Sequence, residues 1–181
     1  MKQSIRTIFT LLLVVFSISG CEKIKELADV KFDANYESTI NVDVTPSATK
    51  ASYGVFLETV TIDPLSNSDM ATYAEKLKEI DVIEASAEVV SISTPIKLIT
   101  ASLSASGNNL PEALWAFTNE TIAVGTILTL DNANGQFNNL KKILESKKEF
   151  TVTLMGQTDV NEATFALKIK FKTRVTANPL D

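Results

Sequence analysis

From Val30 to Val44 apolar and polar side chains alternate along the chain. Val30, Phe32, Ala34, Tyr36, Ile40, Val42 and Val44 stand at one parity, with Lys31, Asp33, Asn35, Glu37, Thr39, Asn41 and Asp43 at the other. Successive side chains of a β-strand point to opposite faces, so this pattern hides one face and wets the other. The closing stretch repeats it: Phe165, Leu167, Ile169, Phe171 and Val175 alternate with Ala166, Lys168, Lys170, Lys172 and Arg174. Both ends of the region are predicted strands, and the first and last are expected to be neighbours.

Between them, Val55–Ile62, Val82–Ile92, Ile96–Ala105, Thr121–Leu130 and Phe150–Met155 are rich in β-branched and apolar residues, with Ile83-Ala85-Ala87-Val89 and Ile99-Ala101-Leu103-Ala105 alternating again. Repeated half-polar strands imply antiparallel pairing. Pro46, Pro64, Pro95, Pro111 and Pro179 fall between or at the ends of these runs, where a missing N–H does no harm. Two segments depart from period two. Ser66–Ile80 places Met70, Tyr73, Ala74 and Leu77 on one helical face behind a capping-box-like Ser66 and Asp69; Asn134–Ser146 does the same with Phe137, Leu140 and Leu144 behind Asn134. The expected fold is therefore mainly β, an antiparallel β-sandwich with two short amphipathic helices on its connections; an α+β layer with both helices on one sheet face is the alternative.

A faint echo links the two helical segments, Thr61-Ile62-Asp63 preceding the first and Thr129-Leu130-Asp131 the second. Asp131-Asn132-Ala133-Asn134-Gly135 is rich in oxygen, but its spacing does not match a calcium loop and is read as a turn feeding a helix. No metal site is expected.

Two places are candidate binding surfaces. The first is Gly107–Phe117, which reads as a connection carrying the sole tryptophan: Trp115 with Leu114 and Phe117 is either an exposed anchor or a plug for the open end of the sandwich. The second is the ladder Lys168, Lys170, Lys172 and Arg174, suited to an anionic or glycan partner, to guarding an edge strand, or to pairing with Asp33, Glu37 and Asp43.

The N-terminus has its own grammar. Lys2 and Arg6 precede the apolar run Ile8–Phe16, and small residues lead to Ile18-Ser19-Gly20-Cys21. A positive start, a short apolar core and a small-residue end make a signal peptide, and the apolar stretch falls well short of the roughly 20 residues that span a bilayer as a helix. The segment resembles the lipobox of bacterial lipoproteins. That resemblance implies cleavage between Gly20 and Cys21, diacylglycerol on the Cys21 thiol, and a membrane-anchored protein; Glu22 after the cysteine favours the outer membrane. The expected organisation is a cleaved signal over 1–20, a lipidated tether over 21–29 and one β-rich domain over 30–181.

Chemistry is scarce in the remainder. The chain has no histidine and one cysteine, which excludes Ser-His and Cys-His catalysis and a zinc site of nitrogen and sulfur ligands. No phosphate-binding glycine loop occurs, so no cofactor is expected. Seven acids, Asp33, Asp43, Glu58, Asp63, Asp69, Asp131 and Asp159, would have to converge in space for carboxylate catalysis. Loss of residues 1–20 leaves 15 basic against 22 acidic side chains, a formal −7 in place of −5, which repels nucleic acid. The sequence thus predicts a non-enzymatic envelope domain, binding or structural, with an envelope protein or a glycan as partner. An apolar-ligand carrier is the alternative, and a carboxylate-dependent hydrolase the third class.

Overall fold

The computed structural model describes residues 28–48 and 53–180. Eight strands dominate: β1 (Val30–Pro46), β2 (Gly54–Ile62), β3 (Leu77–Ile92), β4 (Ile96–Ser106), β5 (Ala113–Ile122), β6 (Ile127–Thr129), β7 (Phe150–Thr158) and β8 (Ala163–Ala177). A short helix α1 (Ser68–Thr72) follows β2, and α2 (Gln136–Glu145) follows β6.

All pairings are antiparallel, in the order β5-β4-β7-β2-β1-β8-β3-β6. The link between β2 and β1 is confined to Thr45 opposite Val55 and Pro46 opposite Gly54, after which the two strands part into different layers. One layer is β1-β8-β3-β6, the other β2-β7-β4-β5. Two four-stranded sheets joined in this order are a jelly roll, a double-sheet sandwich. The mainly β expectation holds, and so does the adjacency of first and last strands, which pair from Val30 opposite Ala177 to Val44 opposite Ala163.

The inner faces bury the residues that the alternation in β1 and β8 selects, from Ala34 and Tyr36 to Phe171 and Val175. Aromatic rings bridge the layers: Phe56 of β2 meets Phe165 of β8 edge-on at 5.5 Å, and Phe171 lies 6.3 Å from Trp115 and 6.4 Å from Phe150. Such ring pairs contribute dispersion and quadrupole contacts beyond their buried area.

Among the strands and the first helix, three sequence expectations fail. Ser66–Ile80 is not one helix. Asn67, not Ser66, caps α1, its Oδ1 accepting the N–H groups of Asp69 and Met70, and from Leu77 onward the chain is taken into β3, where Leu77 faces Ala177 and Ile80 faces Val175 of β8. A strand partner on the last strand outweighs local helix preference. Thr121–Leu130 is not one strand either: it turns at Gly125 (φ 84°), and the Gly125 N–H donates to the Val89 carbonyl as the chain leaves one sheet for the other. In β3, register shifts at Val82/Glu84 rotate Ile83 outward to 44% exposure, so it leaves the parity of Ala85, Ala87 and Val89.

Helix α2 stands close to its expected place, with Leu140, Ile143 and Leu144 buried. Asn134 does not cap it. The Asn132 Oδ1 accepts from the Phe137 N–H at 2.8 Å, and Gly135 takes the left-handed conformation (φ 78°) that starts the helix. The two helices occupy corresponding places, each on a connection that crosses between sheets. Each follows an aspartate whose Oδ1 accepts the N–H two residues on, Asp63 from Leu65 and Asp131 from Ala133.

Candidate functional site

The two outer faces of the sandwich differ sharply. On β1-β8-β3 the outward residues carry charge in rows. Lys168 lies between Thr39 and Glu88, Lys170 between Glu37 and Ser86, Lys172 between Asn35 and Glu84, and Arg174 between Asp33 and Asp81. The Lys168 Nζ meets Glu37 at 2.6 Å, Lys170 meets the other oxygen of Glu37 at 3.3 Å, and the Arg174 Nε meets Asp33 at 3.4 Å. Hydrogen bonds from Lys168 and then Lys170 hold the Glu37 carboxyl below its ordinary range, and the same carboxylate raises Lys168.

The basic ladder is therefore central to a sheet. Strand β8 has partners on both sides, which rules out the edge-guarding role, and the cross-strand pairing expected with Asp33 and Glu37 is formed. Asp43 is not part of it; Thr164 is its register partner. Edge protection falls elsewhere, at Glu58, which stands at an inward parity of β2, where that strand runs free of β1.

The Trp115 segment also departs from expectation. Gly107–Glu112 is the connection, with Asn108 and Asn109 at positive φ, but from Ala113 the chain is the edge strand β5. Trp115 points inward at 3% exposure, and its Nε1 donates to the Asp131 carbonyl at 2.7 Å. A fully packed indole whose N–H is already bonded is a core plug and not an anchor for a partner. Phe117 packs against the same core, whereas Leu114 points out at 49% exposure instead of completing it. A hollow of about 350 Å³ lies along this edge, bounded by Leu114, Phe117, Asp131 and Gln136.

The other outer face was not singled out by the sequence. Register places Val55, Gln157, Thr100 and Thr118 in one row across β2-β7-β4-β5, then Leu57, Met155, Ser102 and Ala116, then Thr59, Thr153, Ser104 and Leu114, with Thr61, Thr151 and Ser106 beyond. None of these side chains is charged, although 22% of the chain is Asp, Glu, Lys or Arg. The first two rows enclose a hollow of about 420 Å³ lined by Val55, Thr100, Ser102, Met155 and Gln157. Its floor is Gly156, where a Cβ would lie 2.5 Å from the Thr100 carbonyl oxygen and 2.7 Å from the Phe56 ring. The signal is present in the sequence as the Thr-x-Thr and Ser-x-Ser spacing of β2, β7 and β4, but only strand pairing brings these three runs side by side, with β5 beyond them.

Four of the seven acids considered for catalysis serve local structure. Asp63 and Asp131 hold turns, Asp159 accepts the Lys97 N–H at 2.8 Å, and Asp33 pairs with Arg174. Among the described residues no three of Asp, Glu or Cys come together as metal ligands, and no helix is long and apolar enough to cross a membrane. Gly20 and Cys21 lie outside the described residues.

No protein-family model and no curated protein match the sequence. Among solved structures, a decameric BFDV capsid protein covers 81% of this chain and 99% of its own at 6% identity and a TM-score of 0.45. A structure of tobacco necrosis virus covers 83% and 99% at 10% identity and a TM-score of 0.39. One of Desmodium yellow mottle tymovirus covers 84% and 91% at 11% identity and a TM-score of 0.35.

Proposed function

We propose that the chain is a lipid-anchored protein of the bacterial cell envelope, with the outer membrane as its favoured site, and that its jelly-roll domain binds or organises a partner without transforming it. The observation that carries this reading is Ile18-Ser19-Gly20-Cys21 at the end of a short apolar run. Two or three acyl chains on Cys21, each buried methylene contributing about 0.8 kcal/mol, would hold the protein firmly. The residues from Glu22 to Asp29 leave only a short reach between anchor and domain.

A non-catalytic role is supported by the chemistry of the chain: it has no histidine, and of the seven acids considered for hydrolysis Asp33, Asp63, Asp131 and Asp159 are engaged in turns, a backbone hydrogen bond or an ion pair. The carrier alternative loses support from the packing. Phe56, Phe165, Trp115, Phe171 and Phe150 fill the space between the layers that a bound lipid would need.

The test is Cys21→Ser in the bacterial host with labelled palmitate. The variant is expected to lose label and to move from the membrane pellet to the soluble fraction; retained label or firm pelleting overturns the anchor.

A further inference from the structure

We propose that the uncharged outer face of β2-β7-β4-β5 is a binding surface for a neutral glycan, seated on the hollow between Val55, Thr100, Ser102, Met155 and Gln157.

Charge is the first constraint on what this face can bind. The rows from Val55–Thr118 to Thr61–Ser106 hold no Asp, Glu, Lys or Arg, the exposed Glu120 of β5 lying beyond Thr118 at their end, whereas the opposite face is a dense ladder of ion pairs; the rows themselves offer nothing to neutralise a charged ligand. Covering an unpaired charge there would be costly, so phosphorylated or uronic sugars are excluded. What the face does offer is hydroxyls at Thr59, Thr100, Ser102, Thr118 and Thr153 and an amide at Gln157. Each hydroxyl both donates and accepts, matching the rim of a pyranose ring, whose hydroxyls do the same. Met155 and Leu57, directly opposite one another and exposed at 48% and 63%, supply an apolar platform for the C–H face of the ring.

Size then selects among uncharged partners. Four strands about 4.8 Å apart and about seven residues long at about 3.3 Å each cover on the order of 400 Å². A stable protein–protein interface needs about 800 Å² from each partner, so a second copy of this chain would find the patch too small. A short stretch of glycan does not, and the 420 Å³ hollow falls within the range of small-ligand sites. Gly156 leaves room at that floor for the Thr100 carbonyl and the Phe56 ring, which a side chain there would meet.

The proposal deepens the binding role above but is independent of the anchor, which membrane release of Cys21→Ser tests separately. The full chain, purified in detergent, is titrated calorimetrically with maltotetraose, cellotetraose and tetra-N-acetylchitotetraose. At least one is expected to bind with a Kd at or below about 1 mM. Met155→Arg and Ser102→Glu should each weaken it at least about tenfold, at an unchanged thermal midpoint, while Lys170→Gln on the opposite face leaves it unaltered. Absence of heat with all three sugars overturns the proposal, as does binding that neither variant weakens. Concentration-dependent dimers that Met155→Arg abolishes would assign the face to a second copy instead, and would equally overturn it.

Discussion

At Tyr36 the alternation of β1 carries a phenol into the core, 3% exposed, and its hydroxyl has no hydrogen-bond partner among the described residues. Burial, with the Asp63 charge in addition, pushes its pKa well above the ordinary value, so the group is neutral throughout the working range. A neutral buried hydroxyl without a partner still costs about 1–3 kcal/mol of desolvation. Tyr36→Phe keeps the ring and removes that cost. The variant is expected to be more stable by about 1 kcal/mol, a rise of roughly 2–4 °C in Tm for a chain of this size. Urea denaturation checks it; a loss of stability would show that a buried water satisfies the hydroxyl. Period two told which way Tyr36 points, because parity alone sets facing. It held no information on the oxygen's partner, which depends on residues from other elements.

Strand β8 shows what a charged face does when it lies in the middle of a sheet. The Glu37 carboxyl is held below its ordinary value of 4.5 by hydrogen bonds from Lys168 and then Lys170. A depressed carboxyl stabilises the fold above its unfolded pKa, and that contribution fades as pH falls through the lower folded value. Lys168, raised by the same partner, contributes below its ordinary 10.5 and loses that contribution as pH climbs through the raised value. Glu37→Gln should therefore lower stability at neutral pH, and the gap to the parent chain should close in strong acid and again in strong base. Urea midpoints across that range measure it; a gap that does not change with pH would mean that side-chain packing, not charge, is lost.

The same element explains what the sequence reveals. Strands β1 and β8 were legible residue by residue because each has one wet face and no register shift between them. Ile83 was misplaced because a bulge changes parity without any mark in the local pattern. Leu77–Ile80 read as helix because its spacing suits one, and its partner, the end of β8, lies about a hundred residues later in the chain. Trp115 could be read as anchor or plug until Asp131 supplied an acceptor for its N–H.

At the scale of the whole molecule, the amphipathic pattern implied two layers but not which strand neighbours which. Order is decided by pairings distant in sequence, and β1 with β8 is the most distant of all. The uncharged face is invisible in the sequence for the same reason, since its four rows exist only once β2, β7, β4 and β5 are side by side. The β1–β8 pair also has a mechanical consequence. Val30 and Ala177 are register partners at one end of an antiparallel ladder, whose hydrogen bonds lie across the strands. Force applied between those two residues loads the bonds one pair after another, so the seam opens like a zipper. Force applied between Val30 and Ala163, at opposite ends of the same ladder, loads all of them together in shear. Single-molecule pulling through these two attachments should give a much lower rupture force for the first, and equal forces would mean that some other part of the sandwich yields before its central seam.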